Sequence, residues 1–307
     1  MKTINNIYIR LLALAALSAM VFASCETPLD IEYLDTEEKV VVNAMGNTDE
    51  NLNLRLTYSR WFLSEKPFKE IDNATVSLIA NGQKVDEGAL RVDGSTYPAK
   101  KYYCFDNYLP KEGDMLKLDI QVPGEEPVSA ECKVPYKPHM SNFTVKEHNV
   151  DDDYSGYKEL GISFLLNDNP NEKNYYMLQI YSFDQDYLQY FSITDYLLVE
   201  TDVAGAIEGD MSVTDNVFLF SDEKINGLNY NINLELSIDM YSYDNGGLQF
   251  RLIAIPEALY YYMQSLDLMT DDMQEVFGEP VQIYNNISNG IGIFAISSTT
   301  IEHVVAN

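Results

Sequence analysis

The sequence predicts a mainly β protein built from two β-sandwich-like domains, with one helix in the C-terminal region. Apolar residues alternate with polar ones in many short runs, which is the pattern of half-buried strands. Gly, Pro and Asn residues separate these runs, as turns between strands require. The chain of 307 residues, 46% of them hydrophobic, is long and apolar enough for about two packed domains.

The charge balance excludes some partners. The chain has 20 Lys and Arg against 48 Asp and Glu, which gives a formal net charge of −28. A nucleic-acid partner requires clustered basic residues against its phosphates, so we expect none. The same shortage of basic residues argues against electrostatic attachment to anionic lipid head groups.

Residues 1–24 have the pattern of a secretory signal peptide. Lys2 and Arg10 precede an apolar run over 11–23 that is too short to span a bilayer, and the run ends in small residues. We therefore expect this segment to be removed and the remaining chain to be exported.

The end of this segment carries a candidate lipidation site. Phe22-Ala23-Ser24-Cys25 resembles a bacterial lipobox, in which the cysteine becomes the first residue after cleavage and carries a lipid through a thioether. An ordinary signal peptide followed by a chance cysteine is the alternative. We expect lipidated Cys25 to anchor the protein to the lipid bilayer of the cell envelope. Residues 25–38 are acidic and are expected to form a tether to the first domain.

Residues 39–137 are expected to form an N-terminal β-sandwich domain of immunoglobulin- or transthyretin-like type. Asn81-Gly82 is typical of a two-residue hairpin turn, and Pro135 and Pro138 bracket the expected domain boundary. The spacing of the strands indicates about seven antiparallel strands. The clearest alternations run over 52–58, 74–80, 116–122 and 128–134.

Residues 138–307 are expected to form a second, β-rich domain. Its longest alternation covers 232–240, and another covers 248–254. Tyr243-Asp244-Asn245-Gly246-Gly247 lies between them and has the composition of a hairpin loop. We therefore expect these two strands to pair with each other.

One helix is predicted from Pro256 to about Phe277, because apolar residues recur there at helical spacing. Proline suits the first helical turn, and Gly278 and Pro280 end the run. The Met- and Tyr-rich stripe of this helix is either a docking surface for a partner or a face packed on a sheet. We expect the packed face, since such stripes usually belong to a core.

A run near the C-terminus carries a family resemblance. Tyr284-Asn285-Asn286-Ile287 followed by Asn289-Gly290-Ile291-Gly292-Ile293-Phe294 resembles the closing motif of DUF4249, a Bacteroidetes lipoprotein family of unknown function. The likeness extends to Asn73-Ala74-Thr75-Val76 and Tyr260-Tyr261-Tyr262, and it departs at Asn285, where we expect Ser. The motif residues of interest are Tyr284, Asn286, Ile287, Asn289, Gly290, Gly292 and Phe294.

We interpret this motif as structural. Asn289-Gly290 and Gly292 allow a tight turn and a close backbone approach, and Ile293 and Phe294 suit a buried strand. A glycine-rich phosphate cradle is the alternative, but no helix start and no Lys, Ser or Thr follows these glycines.

The resemblance implies a function in the cell envelope. DUF4249 members are often encoded beside TonB-dependent receptors, which implies a non-enzymatic accessory lipoprotein of the outer membrane that works in nutrient uptake. The acidic residues after Cys25 resemble a surface-export signal of Bacteroidetes lipoproteins. A structural or adhesive surface lipoprotein, such as a fimbria-like subunit, is the alternative.

The sequence shows no pattern that predicts catalysis, a cofactor or a metal. His139, His148 and His303 have none of the spacings of known metal or catalytic motifs. The acidic runs 151–153, 168–172 and 184–186 offer oxygen ligands but do not match a calcium-binding loop. We expect solvated carboxylates in these loops.

Two further sets of residues leave alternatives open. With Cys25 lipidated, Cys104 and Cys132 are an even pair in an exported protein, and they form either a disulfide or two buried thiols. Tyrosines cluster at Tyr175-Tyr176-Tyr181, where they either offer a stacking surface to a ligand or fill half-exposed strands. We expect strand filling for most of them.

Overall fold

The computed structural model describes residues 37–61, 64, 66–148, 156–182, 188–189, 191–199, 217–270 and 282–305. The predicted signal peptide, Cys25 and all but the last two residues of the predicted tether lie outside this part of the chain. The described residues from Glu38 onward belong to one compact unit.

Strands dominate this unit, so the prediction of a mainly β fold is confirmed. The strands are β1 (Val40–Asn47), β2 (Asn53–Tyr58), β3 (Thr75–Ala80), β4 (Gln83–Glu87), β5 (Ala89–Asp93), β6 (Lys100–Cys104), β7 (Met115–Gln121), β8 (Val128–Lys133), β9 (His139–His148), β10 (Tyr157–Asn167), β11 (Tyr175–Ser182), β12 (Phe191–Ile193), β13 (Phe218–Ser221), β14 (Asn229–Asp239), β15 (Leu248–Ile255), β16 (Ile287–Ser288) and β17 (Ile291–Val304). The described helices are α1 (Tyr196–Val199), α2 (Met240–Gly246) and α3 (Glu257–Thr270).

The strands form three sheets. The long sheet has eight strands in the order β13-β11-β15-β17-β1-β2-β6-β5. A five-stranded sheet has the order β16-β8-β7-β3-β4, and a four-stranded sheet has the order β12-β14-β10-β9. Neighbouring strands of the long sheet are antiparallel except β1 and β17, which pair in parallel from Val41 opposite Ile291 to Asn47 opposite Ser297. This parallel pair departs from the expected antiparallel sandwich.

The two smaller sheets cover one face of the long sheet. The five-stranded sheet packs on its β17-β1-β2-β6 part around a first core that includes Phe294 and Ile296. The four-stranded sheet packs on its β13-β11-β15 part around a second core, which Val304 also contacts. Because successive side chains of a strand point to opposite faces, these three even-numbered residues of β17 share a face. The arrangement is therefore sandwich-like at both ends of the long sheet.

Helix α3 lies on the opposite face of the long sheet. Its residues Leu259, Tyr260 and Met263 are buried against Ile293 and Ala295, the odd-numbered residues of β17. The described part of the Met- and Tyr-rich stripe is thus a packed face, as expected. The helix begins directly after Pro256 as predicted, and the stretch 271–281 lies outside the described residues. No helix in the described part of the chain is both long and apolar enough to cross a membrane.

The predicted boundary after residue 137 falls between β8 and β9. This boundary stays a prediction. The structure adds that a strand from the C-terminal side of the boundary pairs with a strand from the N-terminal side. Strand β17 comes from the second predicted domain, yet it pairs with β1 and contributes to both cores. Strands from both predicted domains therefore share one sheet.

The predicted hairpin between 232–240 and 248–254 is wrong. Strand β14 pairs with β10 and β12 in the four-stranded sheet, whereas β15 pairs with β11 and β17 in the long sheet. The connecting residues form the short helix α2, which Asp239 caps by accepting a hydrogen bond from the Ser242 N–H at 3.0 Å. In contrast, Asn81-Gly82 makes the predicted two-residue turn, with φ of 52° and 81°.

Replacing Gly292 with Ala should destabilise the fold strongly. Gly292 has a φ of +120°, and a Cβ there would lie 2.0 Å from the Val42 carbonyl oxygen of the paired strand. We expect Gly292→Ala to lower the free energy of unfolding by about 2–4 kcal/mol. Urea unfolding of the mature protein, followed by circular dichroism, measures this loss.

Gly82→Ala is the matched control, because Gly82 also has a positive φ, of +81°, but no atom within 4 Å of an added Cβ. It should cost about 1–2 kcal/mol from the backbone conformation alone. An equal loss in the two variants would contradict the close β1–β17 approach.

Candidate ligand-binding cleft

A cavity of about 380 Å³ opens where three segments of the chain meet. These segments are the end of β8, the loop that leads into β11, and the junction between β15 and α3. The residues that line it are Glu131, Cys132, Lys133, Pro135, Glu172, Lys173, Asn174, Tyr175, Ala254, Ile255, Pro256, Glu257 and Ala258. The volume lies in the range of about 300–1,000 Å³ that is typical of small-molecule sites.

Strand pairing and a helix start place the floor of the cleft. Tyr175 begins β11 and pairs with Ile255 at the end of β15, directly before α3. Pro256 opens the helix, and its carbonyl oxygen accepts hydrogen bonds from the Leu259 and Tyr260 N–H groups at 3.0 and 3.2 Å. Glu257 in the first turn is favoured by the helix dipole.

A hydrogen bond joins the two polar groups of this floor. The Tyr175 hydroxyl donates to Glu257 Oε1 at 2.7 Å. Burial raises the pKa of Tyr175, and the bond to Glu257 raises it further. The phenol therefore stays protonated at neutral pH and holds the carboxylate in place.

Two basic side chains also line the cleft. The Lys133 ammonium makes an ion pair with Glu172, and the Lys173 Nζ lies 5.4 Å from the centre of the Tyr175 ring. The lining also contains the acidic residues Glu131 and Glu172, so the two lysines do not stand alone there. Together with Glu257 they give the cleft groups of both signs.

Tyrosines connect the cleft to the C-terminal motif. The ring centre of Tyr175 lies 4.7 Å from that of Tyr260 and 6.1 Å from that of Tyr261. The Tyr261 ring in turn lies 5.8 Å from that of Tyr284, which is 38% exposed. Tyr175 and Tyr260 are buried, as strand and helix filling predicts, whereas Tyr284 offers part of its ring to solvent.

Cys104 and Cys132 are separate free thiols and do not form a disulfide with each other. Cys104 ends β6 in the long sheet, whereas Cys132 lies in β8 of the five-stranded sheet, and both are buried. Cys132 lines the cleft, where its Sγ accepts a hydrogen bond from the Ile296 N–H at 3.3 Å. Burial raises the pKa of Cys132 to about 12, so this thiol is not a nucleophile at neutral pH.

The histidines lie on strands, away from the cleft lining. His139 and His148 are the first and last residues of β9, and His303 lies in β17 opposite Gln249. Across the described residues, no group of three or more His, Cys, Asp and Glu side chains could hold a metal ion. Of the acidic runs, 168–172 is described and borders the cleft through Glu172, and the other two lie outside the described residues.

The C-terminal motif connects the five-stranded sheet to the long sheet. Ile287 in β16 is buried and pairs with Ala130 of β8. Asn286 acts as an additional peptide group, because its amide donates to the Phe294 carbonyl at 2.8 Å and accepts from the Phe294 N–H at 3.0 Å. Asn285, the departure from the family pattern, accepts from the Ile287 N–H at 3.0 Å.

The turn of the motif sits close to other strands. Asn289 has a φ of +57° and donates to the Pro127 carbonyl at 2.9 Å. A Cβ on Gly290 would lie 2.9 Å from the Val40 carbonyl oxygen. The motif residues thus make backbone and core contacts.

Sequence patterns identified parts of the cleft but not the cleft itself. Tyr175 stood out as one of a cluster and Pro256 as a helix start. Lys173 and Glu257 did not, since a single charged residue in a loop or a first helical turn carries no special signal. Only the pairing of β11 with β15 brings them together.

The sheets and the cleft define a mainly β protein in which two sandwich-like packings share one long sheet. The chain belongs to the family described as a domain of unknown function, DUF4249, whose model matches residues 26–302. No curated protein matches the sequence.

The raised pKa of Tyr175 predicts a loss of stability at alkaline pH. As the pH rises past about 10, the unfolded chain releases this proton before the folded protein does, so stability is full below that pH and falls above it. We expect Tyr175→Phe to make this fall smaller. At neutral pH the variant should lose about 1 kcal/mol with its hydrogen bond. Urea unfolding at a series of pH values measures both effects.

Tyr97→Phe is the matched control, because the Tyr97 side chain is fully exposed. It should leave both the neutral stability and the alkaline fall as they are in the wild type. The same alkaline fall in Tyr175→Phe as in the wild type would contradict the role of this hydroxyl.

Proposed function

We propose that the protein is a non-enzymatic cell-envelope lipoprotein that captures a small polar ligand for uptake by a TonB-dependent outer-membrane receptor. The observation that carries the proposal is the cleft, which combines a volume of about 380 Å³ with Lys173 and the hydrogen-bonded Tyr175–Glu257 pair in its lining. Such convergent polar groups in a cavity of this size are typical of ligand sites.

The charge of the cleft favours a ligand with groups of both signs or with several hydroxyls. Lys173 can receive an anionic or hydroxyl oxygen, and the free oxygen of the Glu257 carboxylate can accept a donor. The partly exposed Tyr284 ring, one tyrosine away from the floor, suits stacking on an apolar face of a ligand. The lipobox-like sequence at Cys25 supports a location in the envelope.

A structural or adhesive role is the second candidate, and the edge of the long sheet favours it. Strand β5 ends the strand order of this sheet and pairs with β6. Its side chains Leu90 and Val92 are 41% and 61% exposed. An exposed apolar edge can accept a strand from another chain, as fimbrial subunits do.

Membrane attachment should depend on Cys25. We expect Cys25→Ala to move the protein from the membrane fraction to the soluble fraction, since no other lipid site is proposed. Cys104→Ala, a buried free thiol, is the control and should stay in the membrane fraction. Fractionation and immunoblotting measure the distribution. Membrane-bound Cys25→Ala would refute the lipoprotein assignment.

Affinity purification of the full-length protein from outer membranes separates the two candidate functions. Uptake predicts that a β-barrel receptor co-purifies with the wild type and equally with Val92→Lys, which places a charge on the edge strand β5. Adhesion predicts polymers in the wild type that Val92→Lys abolishes. If polymers form and no receptor co-purifies, the adhesive function replaces the uptake function.

A further inference from the structure

Four oxygen atoms converge on one side-chain amide beside the cleft. The Asn174 Nδ2 lies 3.3 Å from Asp168 Oδ1 and 3.1 Å from Asp222 Oδ2. It also lies 3.2 Å from the Asn169 carbonyl oxygen and 3.1 Å from the Glu172 carbonyl oxygen. An amide NH₂ group has two hydrogens, so it cannot satisfy four acceptors. The cluster therefore has more oxygen ligands than its central donor can use.

Asp222 supplies an independent observation that points to a bound ligand at this oxygen cluster. Its side chain is completely buried, and its Oδ1 has no hydrogen-bond partner within the described structure. Its Oδ2 points into the cluster, where it accepts from the Asn174 N–H at 2.9 Å. A buried carboxylate with a free oxygen beside a second carboxylate favours a bound cation.

The second carboxylate is held rigidly. Asp168 Oδ1 accepts from the Tyr176 hydroxyl at 2.6 Å, and its Oδ2 accepts from the Gly227 N–H at 2.7 Å. Gly227 has a φ of +73°, and a Cβ there would lie 2.7 Å from the Pro170 Cβ. The turn around Gly227 thus packs tightly on the 168–174 loop and fixes the oxygens of the cluster before any ligand binds.

We infer that this cluster is a calcium site. Calcium prefers six to eight oxygen ligands drawn from carboxylates, main-chain carbonyls and Asn side-chain carbonyls. The cluster provides two carboxylates, from Asp168 and Asp222, and two main-chain carbonyls. A half-turn of the Asn174 amide would exchange its nitrogen for its oxygen and add a fifth protein ligand. The two carboxylates balance the charge of the ion, and water can complete the coordination.

This inference changes the expectation for the 168–172 run. The run alone lacks the spacing of a calcium-binding loop, and two acidic side chains are fewer than most metal clusters contain. The missing carboxylate comes from Asp222, which directly follows β13 and is brought to the loop by the pairing of β13 with β11. Main-chain carbonyls supply the remaining oxygens. The mixed, loop-borne ligand set suits calcium better than magnesium, which demands a strict octahedron.

Calcium binding is tested on the mature full-length chain after treatment with EGTA. Calorimetric titration with CaCl₂ should show binding, and thermal unfolding should show a rise in Tm of about 5 °C or more at 100 times the Kd. Excess EGTA should reverse the rise, and MgCl₂ at the same concentration should produce a smaller one. No calcium-dependent change in Tm would overturn the inference.

Asp222→Asn locates the site, because it keeps the shape of the side chain and removes its charge. We expect calcium affinity to fall at least about tenfold, whereas the EGTA-treated protein stays folded. Asp119→Asn, which removes an exposed carboxylate paired with Lys117, should bind calcium as the wild type does. Wild-type calcium affinity in Asp222→Asn would place the ion elsewhere and refute this site.

Asn174→Asp gives a test that does not depend on Asp222→Asn folding. It adds a third carboxylate and removes the central donor, so the calcium-free variant should unfold at a lower temperature than the wild type. Calcium should then raise its Tm by more than it raises that of the wild type. A purely structural Asn174 predicts the first effect without the second, and that result would contradict the calcium site.

Discussion

The parallel pairing of β1 with β17 is the constraint on which the rest of the structure depends. It brings residues 41–47 beside residues 291–297 and so closes almost the whole described chain into one loop. Closing a longer loop costs chain entropy, although that cost grows only slowly with length. The complete burial of Phe294 and Ile296 beside Val42 and Ala44 offsets it. Gly292 makes the approach possible, because a side chain there would collide with the backbone of β1.

Strand β17 also organises the segment that links the two sandwich-like packings. The Ile296 N–H donates to Cys132 Sγ, the Ser298 hydroxyl to the Pro135 carbonyl at 2.6 Å, and the Thr300 hydroxyl to the Pro138 carbonyl at 2.6 Å. Residues 132–138 are therefore hydrogen-bonded to β17 along their length and do not form a free linker between the two sandwich-like packings. Since Cys132, Lys133 and Pro135 line the cleft, this wall of the site is set by the same strand as the two cores.

Local patterns in the sequence were sufficient to locate many of the strands but not to predict which strands pair with each other. The alternation over 232–240 identified most of β14, and Pro256 identified the start of α3, because both signals depend on neighbouring residues. Alternation shows that one face of a strand is buried but not which strand lies beside it. For that reason the hairpin expected after β14 was wrong, and neither the parallel β1–β17 pair nor the cleft was foreseen.

The 168–174 loop connects the two proposed functions of the molecule. Glu172 and Asn174 contribute oxygen and amide groups to the cluster around Asp222, and both also line the cleft. Lys173 lies between them in the sequence, so the contacts of Glu172 and Asn174 within the cluster also position the Lys173 backbone. A cation in the cluster would restrict this loop and fix the lysine over the cleft before a ligand arrives, which lowers the entropy lost on binding. Calcium and ligand would then each strengthen the binding of the other, as linkage between two sites requires.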